Sequence, residues 1–540
     1  MERLNLTTNV ASLTVRDPAN DSPGSSVFDL PVQSTEKRET RAPVSSVNSL
    51  SVLRSYRVQD SKHLDDPSET TTITVDPGDS IPDETDSIHR ARPGESKRKQ
   101  EHVVSYVVIS GGTGGNAICS AFAGHDTCYA LPVSDDGGSS SEIIRTLGGP
   151  SVGDIRSRLV RLIPPASSSS PLDAIRRLLA YRLPANVSER EAREEWRDIV
   201  EGRSPLWEGI PNDRKETIRG FLVYFESEIL KRAHKNFNFQ NGSVGNFFLA
   251  AAQGFFRSLP SAIFLFSSIT NSQANIAPVI VTNHTVTIAA ELANGERLVG
   301  QCEISHPVQQ PTFIADPPEP WSPVDGIGEV ILPVQNVKFE SSNKDEYVPL
   351  RSPIQRLFYI NAYGIEIRPS PNPDFLHNLE SKDVLVYSCG SLWTSIMPCL
   401  ALRGVADAIA RSRSLRAKIL LLNSQNDRET EGYTAADYIH AIVQTLNTSY
   451  NAMRHGMGNA NTTYPISAFI TDLVYVKNTA VKVDEKHITS LGVRCTEAEP
   501  AGPIGSTAGQ DVATPPKFDA ESVKRAIDSI MEIRHDETLG

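Results

Sequence analysis

No CxxC pair occurs in this 540-residue chain, and its six cysteines, Cys119, Cys128, Cys302, Cys389, Cys399 and Cys495, are scattered. Neither a zinc ribbon nor a disulfide framework is suggested, and the thiols are expected to be reduced and mostly buried. The amino terminus has no charged-then-apolar signal pattern, and no apolar run reaches the length of a membrane span. Positive charge is also short: the formal net charge is −12, whereas general affinity for nucleic acid comes from clustered cations. The expectation is a cytoplasmic protein with neither a nucleic-acid nor a membrane partner. The one basic cluster, Lys97-Arg98-Lys99, is more simply a solvated charge run than a nuclear signal. His125, His284, His306 and His440 stand alone with no Ser or Cys motif beside them, so nucleophilic triads have no support.

Apolar residues are only scattered over residues 1–101, which run through Ser, Thr, Asp, Pro and Arg. Such a stretch cannot bury enough surface to offset its ordering entropy, so it reads as a disordered tail, open to regulatory partners. Residues 496–517, rich in Pro, Gly, Ala and Thr, read as a linker to a closing helix at 518–535. The remainder, 102–495, alternates strand and helix. Val103 to Ile109 and Ala417 to Ser424 are continuous apolar runs of the kind that central parallel strands show. A charged helical insertion is expected at 165–235 and a Pro-rich surface insertion at 306–350. TVTIAAEL and RLVGQCEI read as two strands joined by Asn294-Gly295, an antiparallel hairpin appended to a mainly parallel α/β core.

The densest polar sequence follows the first strand. Gly111, Gly112, Thr113, Gly114 and Gly115 form a turn that allows close backbone approach to phosphate, and Gly112 to Ala117 fits GxGxxA. Asp135 and Asp136 lie about twenty residues on, where a dinucleotide fold places its ribose acid. With Gly137, Gly138, Ser139 and Ser140 behind them, the same two carboxylates suit a hydrated Mg²⁺ with phosphate oxygens, or form an ordinary acidic turn. In Gly153-Asp154-Ile155-Arg156 the arginine either forks onto a phosphate or pairs with Asp154. Ser391, Thr394 and Ser395 offer hydroxyls at a helix start, for phosphate or simply as caps. In an open parallel sheet such loops gather outside the carboxyl ends of the strands.

Taken in order, SGGTGG, SDDGGSS, GDIR, SVGN, GSLWTSIMP and ETEGYTAADYIHAI resemble the CofD/YvcK family of 2-phospho-L-lactate transferases and gluconeogenesis-factor-like proteins, over about Val103 to Leu446. The DDGGSS loop and the later motifs resemble the YvcK branch more. The resemblance implies a Rossmann-like three-layer α/β sandwich with a nucleotide-bearing ligand in the crevice. One branch moves a phospholactyl group from a guanosine diphosphate-linked donor onto the deazaflavin precursor Fo with a divalent metal. The other binds UDP-sugars or NADP in carbon metabolism without an established reaction. By this resemblance Gly112 to Gly115 would cradle phosphate, Asp135 and Asp136 would hold metal or substrate, and Asn246, Ser391 and Thr394 would line the pocket. Thr434 would complete the far side.

The chain departs from the pattern in places. Where the family reads DDGGSSGRLR, it has Ser141 and Glu142, which removes a cation near the expected phosphate and places a repelling carboxylate there. GDIRNCL becomes GDIRSRL with Ser157 and Arg158, and GPGSL becomes SCGSL. Three functions follow as alternatives: a phospholactate-type transferase, a non-catalytic nucleotide-binding regulator, and a hydride-transferring oxidoreductase suggested by GxGxxA alone. A homo-oligomer is left open.

Overall fold

The computed structural model describes residues 103–112, 114–306, 348–448, 463–499 and 516–539. The expected tail at 1–101, Thr113, and most of the 306–350 insertion and the 496–517 linker lie outside the described residues.

Seven strands form one sheet: β1 (Tyr106–Ile109), β2 (Thr127–Leu131), β3 (Asn275–Pro278), β8 (Val384–Tyr387), β9 (Ala417–Leu421), β10 (Asp472–Val476) and β11 (Arg494–Ala498). Their order is β11-β10-β9-β8-β1-β2-β3, and every neighbouring pair is parallel. Every residue of β1, β2, β8, β9 and β10 is buried, so the centre of the sheet is covered on both faces, as its uninterrupted apolar sequence requires. β11 extends to Ala498, inside the stretch read from sequence as linker.

A second sheet, of order β5-β4-β6-β7, is antiparallel: β4 (Thr287–Leu292), β5 (Arg297–Val299), β6 (Ile354–Ile360) and β7 (Glu366–Ile367). The Asn294-Gly295 turn is present, with Gly295 at φ +87°, but the hairpin is half of a larger sheet because β6 returns from beyond residue 348. RLVGQCEI is not one strand. Gly300 at φ +92° ends β5, and the following residues form a short helix whose amides Asp136 satisfies. The sheet is pinned to the core where Tyr359 Oη donates to Pro398 O (2.7 Å).

The first helices after β2 are α1 (Ser139–Leu147) and α2 (Gly153–Arg161). The helical insertion follows as α3 (Pro171–Ala180), α4 (Glu189–Val200) and α5 (Asn212–Leu230). Its starts are locally encoded: Ser170 caps α3 with Pro171 in the first turn, and Ser188 with Glu191 forms a capping box on α4. The next helices are α6 (Val244–Phe256) and α7 (Leu259–Ile269). The insertion is not a detached cap. Trp196 stacks on Phe239 (5.3 Å between centroids) and Phe225 on Phe247 of α6 (4.6 Å), so insertion and sheet domain share one core.

The remaining helices are α8 (Gln301–Ser305), α9 (Pro373–Ser381), α10 (Met397–Leu400), α11 (Val405–Arg411), α12 (Ala435–Thr448), α13 (Glu485–Ser490) and the closing helix α14 (Ala520–Leu539). α14 is clamped to the sheet by the buried Asp472, which accepts from Arg494 Nε (3.2 Å) and Arg534 Nη2 (2.5 Å). Among the described residues no single helix is long and apolar enough to cross a membrane.

Candidate functional site

The chain leaves β1 toward β2 on one side, and leaves β8 toward β9 on the other, so the strand order reverses between β1 and β8. At such a switch point the crossovers diverge and leave a crevice outside the carboxyl ends of the two strands. The two loops there are Ser110–Gly115 and Ser388–Leu392, both singled out in the sequence. Their backbones touch: a Cβ on Gly114 would lie 2.5 Å from the Cys389 carbonyl oxygen and 2.8 Å from Gly390 Cα. Only glycine permits this approach. A Cβ on Gly111 would collide with the Ser395 side chain, and one on Gly112 with the Asp154 carboxylate. The β8 loop is held from the next strand, since Gly390 N donates to Asn423 Oδ1 (3.1 Å) and Asn423 Nδ2 donates to Gly390 O (2.8 Å).

The glycine turn is also held from beneath. Arg158 is completely buried; its Nη1 donates to Gly115 O (3.0 Å), and its Nη2 donates to Ser110 Oγ (2.7 Å) and Gly111 O (3.1 Å). Its guanidinium also lies 5.0 Å from the centre of the Tyr129 ring. Arg158, a departure from the family sequence, is thus an internal strut of the turn.

The DDGGSS loop and the start of α2 meet beside this turn. Asp135 Oδ1 accepts from Gly137 N (3.0 Å) and Oδ2 from Ser140 Oγ (3.4 Å), while a Cβ on Gly153 would sit 2.6 Å from Asp135 Oδ2. Asp154 accepts from the Gly112 amide. Burial, and then the Asp154 charge, push the Asp135 carboxyl well above its usual range. Burial likewise raises Asp154, against the pull of Arg158 and Arg156. A buried carboxyl whose proton affinity is raised by a second carboxylate beside it also suits a cation shared with that neighbour. Among the described residues no group of three or more His, Cys, Asp or Glu could hold a metal by itself. Two carboxylates with the rest of the shell from water and ligand phosphates is nonetheless the way Mg²⁺ is commonly held, so the donor set fits that ion. Asp136 faces elsewhere: its Oδ1 accepts from Cys302 N (2.9 Å) at the start of α8.

A polar chain continues from this pair. Asn246 Nδ2 donates to Ser139 Oγ (2.7 Å), and Arg156 Nε donates to Asn246 Oδ1 (3.0 Å). Arg156 is thus turned to Asn246 rather than forming an ion pair with Asp154. Burial, then the neighbouring Arg182, push the Arg156 guanidinium down to about 10. Arg182 comes from the helical insertion, just beyond α3, and its Nη1 lies 3.9 Å from where a Cβ on Gly138 would be. No sequence motif marked it. It is brought here by an antiparallel bridge between Arg182 and Ser243, and only the folded chain shows that.

Glu142 does not face the crevice. It is buried on α1, where Oε2 accepts from Arg145 Nε (2.8 Å) and Oε1 from Arg145 Nη2 (2.6 Å) and Asn238 N (2.6 Å). The expected repulsion of a phosphate is replaced by a neutralised structural contact with the insertion. Of the later motifs, Ser391 precedes a π-helical turn, Leu392–Ile396, that leads into α10, and Ser395 packs on Gly111. Thr394 is buried, and its Oγ1 donates to Glu429 Oε1 (2.6 Å). Glu429 also accepts from Trp393 N (3.0 Å), Thr394 N (3.1 Å) and Ser305 Oγ (2.6 Å), so a carboxylate occupies the amide cluster at this helix start. Thr434 Oγ1 donates to Asp437 Oδ2 (2.7 Å) at the start of α12. Asn423, Glu429 and Arg182 were not among the residues drawn from the motifs, and Arg158 was marked only as a departure from one. Glu429 lay within ETEGYT, but its burial against the Trp393 and Thr394 amides is visible only in the fold.

The family model described as 2-phospho-L-lactate transferase CofD matches residues 106–500. An uncharacterized protein of Saccharomyces cerevisiae is 34% identical over 464 residues, 79% of this chain and 99% of that one. A gluconeogenesis factor of Halalkalibacterium halodurans is 24% identical over 394 residues, 72% of this chain and 86% of the relative. A crystal structure of a UPF0052-family protein from Bacillus halodurans shares 19% identity, with a TM-score of 0.48, over 78% of this chain and 98% of that one.

Proposed function

Because the chain belongs to the 2-phospho-L-lactate transferase CofD family, we propose that its switch-point crevice binds a nucleoside-diphosphate-linked ligand and transfers a phospholactyl group from it. The observation that carries this reading is the placement of Asp135 and Asp154 against each other, beside the glycine turn. The turn brings backbone within reach of a diphosphate, and its glycines leave no side chain in the way. A Mg²⁺ ion held by Asp135 and Asp154 would neutralise phosphate charge.

The transfer is a displacement at phosphorus. The acceptor hydroxyl oxygen bonds to the phosphorus that carries lactate, the bond from that phosphorus to the bridging oxygen breaks, and a nucleoside monophosphate leaves. The acceptor proton passes to solvent or to a carboxylate of the pair. The chain's part is positioning: Ser140 and Gly137 orient Asp135, the Gly112 amide orients Asp154, and Asn423 fixes the opposite wall.

The test is incubation of the full chain with Mg²⁺, a guanosine diphosphate-linked phospholactate and Fo, with products read by mass spectrometry. Product that appears with metal and is lost in Asp135→Asn is the expected result. A saturating donor with no product over many hours would overturn the transferase reading. The gluconeogenesis-factor relatives support a second one, a regulator that binds a UDP-sugar or NADP without turnover. It predicts thermal stabilisation by one of these compounds, recovered unchanged.

A further inference from the structure

Two guanidiniums meet at the junction of the helical insertion and the sheet domain, and neither makes an ion pair among the described residues. Arg182 Nη1 donates only to the Asn241 carbonyl (2.7 Å) and, weakly, to Asn241 Oδ1 (3.5 Å). Arg156 donates Nε to Asn246 Oδ1. A closed circuit of contacts makes them neighbours. Arg182 bridges to Ser243, a Cβ on Gly245 would lie 3.0 Å from Arg156 Cγ, Asn246 joins Arg156 to Ser139, and Gly138 next to Ser139 faces Arg182 Nη1. Within this circuit the Ser243 hydroxyl is fully buried and has no hydrogen-bond partner.

Bringing two like charges together in a partly desolvated place costs free energy unless a counter-ion joins them. The nearby carboxylates offset this charge only from a distance: Asp154 acts on Arg156 and Asp135 on Arg182, but neither forms an ion pair with its guanidinium among the described residues. The planar fork of arginine matches the oxygens of phosphate, and two forks from separate elements surround a dianion better than one. Glu142 leaves the crevice for Arg145, so it does not compete.

We propose that Arg182 and Arg156 form an oxyanion clamp, built across the insertion and the sheet domain, which takes a phosphoryl group of the crevice ligand. The clamp rests on the reading of the crevice as a nucleotide site, and it deepens that reading by making the insertion part of the site. It also replaces, from a distant part of the chain, the cation lost at Glu142.

Binding of inorganic pyrophosphate, GDP and guanosine to the full chain, by titration calorimetry, tests it in wild type, Arg182→Ala and Arg182→Lys. The expected result is a tenfold or greater loss of affinity for pyrophosphate and GDP in Arg182→Ala, with an intermediate value in Arg182→Lys. Guanosine should not distinguish the variants, and wild-type pyrophosphate affinity should fall more steeply with salt than that of Arg182→Ala. Equal pyrophosphate affinity in wild type and a folded Arg182→Ala overturns the clamp, as does a wild type that binds no pyrophosphate at millimolar concentration. If Arg182→Ala is unfolded by circular dichroism, Arg182→Lys decides, and wild-type affinity in that variant together with an unchanged salt slope counts against the guanidinium fork. A wild type that binds pyrophosphate through Arg182 but ignores every nucleotide keeps the clamp and sinks the nucleotide reading.

Discussion

Replacing Glu142 distinguishes a carboxylate that faces the ligand from one that holds the fold. The sequence puts it where the family has an arginine, so a substitution to a neutral residue would then tighten phosphate binding. The structure gives a different outcome, a loss of stability with binding unchanged. Glu142 makes two hydrogen bonds to Arg145, whose side chain is 34% exposed, and one to the Asn238 amide. Removing one partner of a well-buried pair costs about 3–5 kcal/mol, and solvent around Arg145 reduces that to roughly 1–2 kcal/mol. An amide left without a charged acceptor adds about 1–2 kcal/mol. Glu142→Ala is therefore expected to lose about 3 kcal/mol, a fall of roughly 3–6 °C in melting temperature for a folded body of this size. The assay pairs a thermal melt with GDP titration of Glu142→Gln, which keeps the shape and removes the charge. Affinity within about twofold of wild type is expected because the carboxylate is engaged by Arg145 and the Asn238 amide instead of the ligand. Unchanged stability with tenfold tighter binding would refute the reasoning, since only a carboxylate facing the phosphate behaves so.

Gly114→Ala would force apart two backbones that a side-chain shift cannot relieve, so GDP affinity should fall at least tenfold by calorimetry; Gly220→Ala, with open space around its Cβ, should leave it unchanged. Burial, then Asp427, push the Glu429 carboxyl up to about 7. The folded chain then holds this proton more tightly than the unfolded one, so its contribution to stability falls as pH rises from about 4.5 to about 7. Urea midpoints of Glu429→Gln should lack that part of the slope, and parallel profiles would show that the acid is not perturbed. Asp472→Asn leaves Arg534 without its buried partner and Arg494 with Glu537 alone, at a cost of roughly 2–3 kcal/mol once solvent around Arg494 is allowed for, and limited proteolysis should then cut within α14 first.

The centre of the parallel sheet was readable because its strands are uninterrupted apolar runs ending at glycine or polar loops, whereas β10 and the polar β11 (RCTEA) at the edge were not. The hairpin turn was readable for the same local reason. The size of the second sheet was not, because β6 pairs with β4 across about sixty residues that carry no common period. The turn, the aspartates and GDIR were visible because each is a short contiguous string. What each member does was hidden by long-range partners: Asp136 by the amide of Cys302, Thr394 by Glu429, and Glu142 by Asn238. Arg182 had no signal at all. Its place depends on a bridge to Ser243, about sixty residues away across the helical insertion, and an arginine in a charged helical stretch reads as solubility.

Arg158 has a further consequence. Because one buried guanidinium already takes the carbonyls of Gly111 and Gly115, the two ends of the turn are fixed without waiting for a guest. A glycine-rich segment is normally the most costly kind of chain to order, and association would have to repay that cost at each encounter. Here the folding of α2 has met it beforehand. The free energy of complex formation can then be spent on discriminating between guests, and the segment that looks most pliable in the sequence becomes a mould.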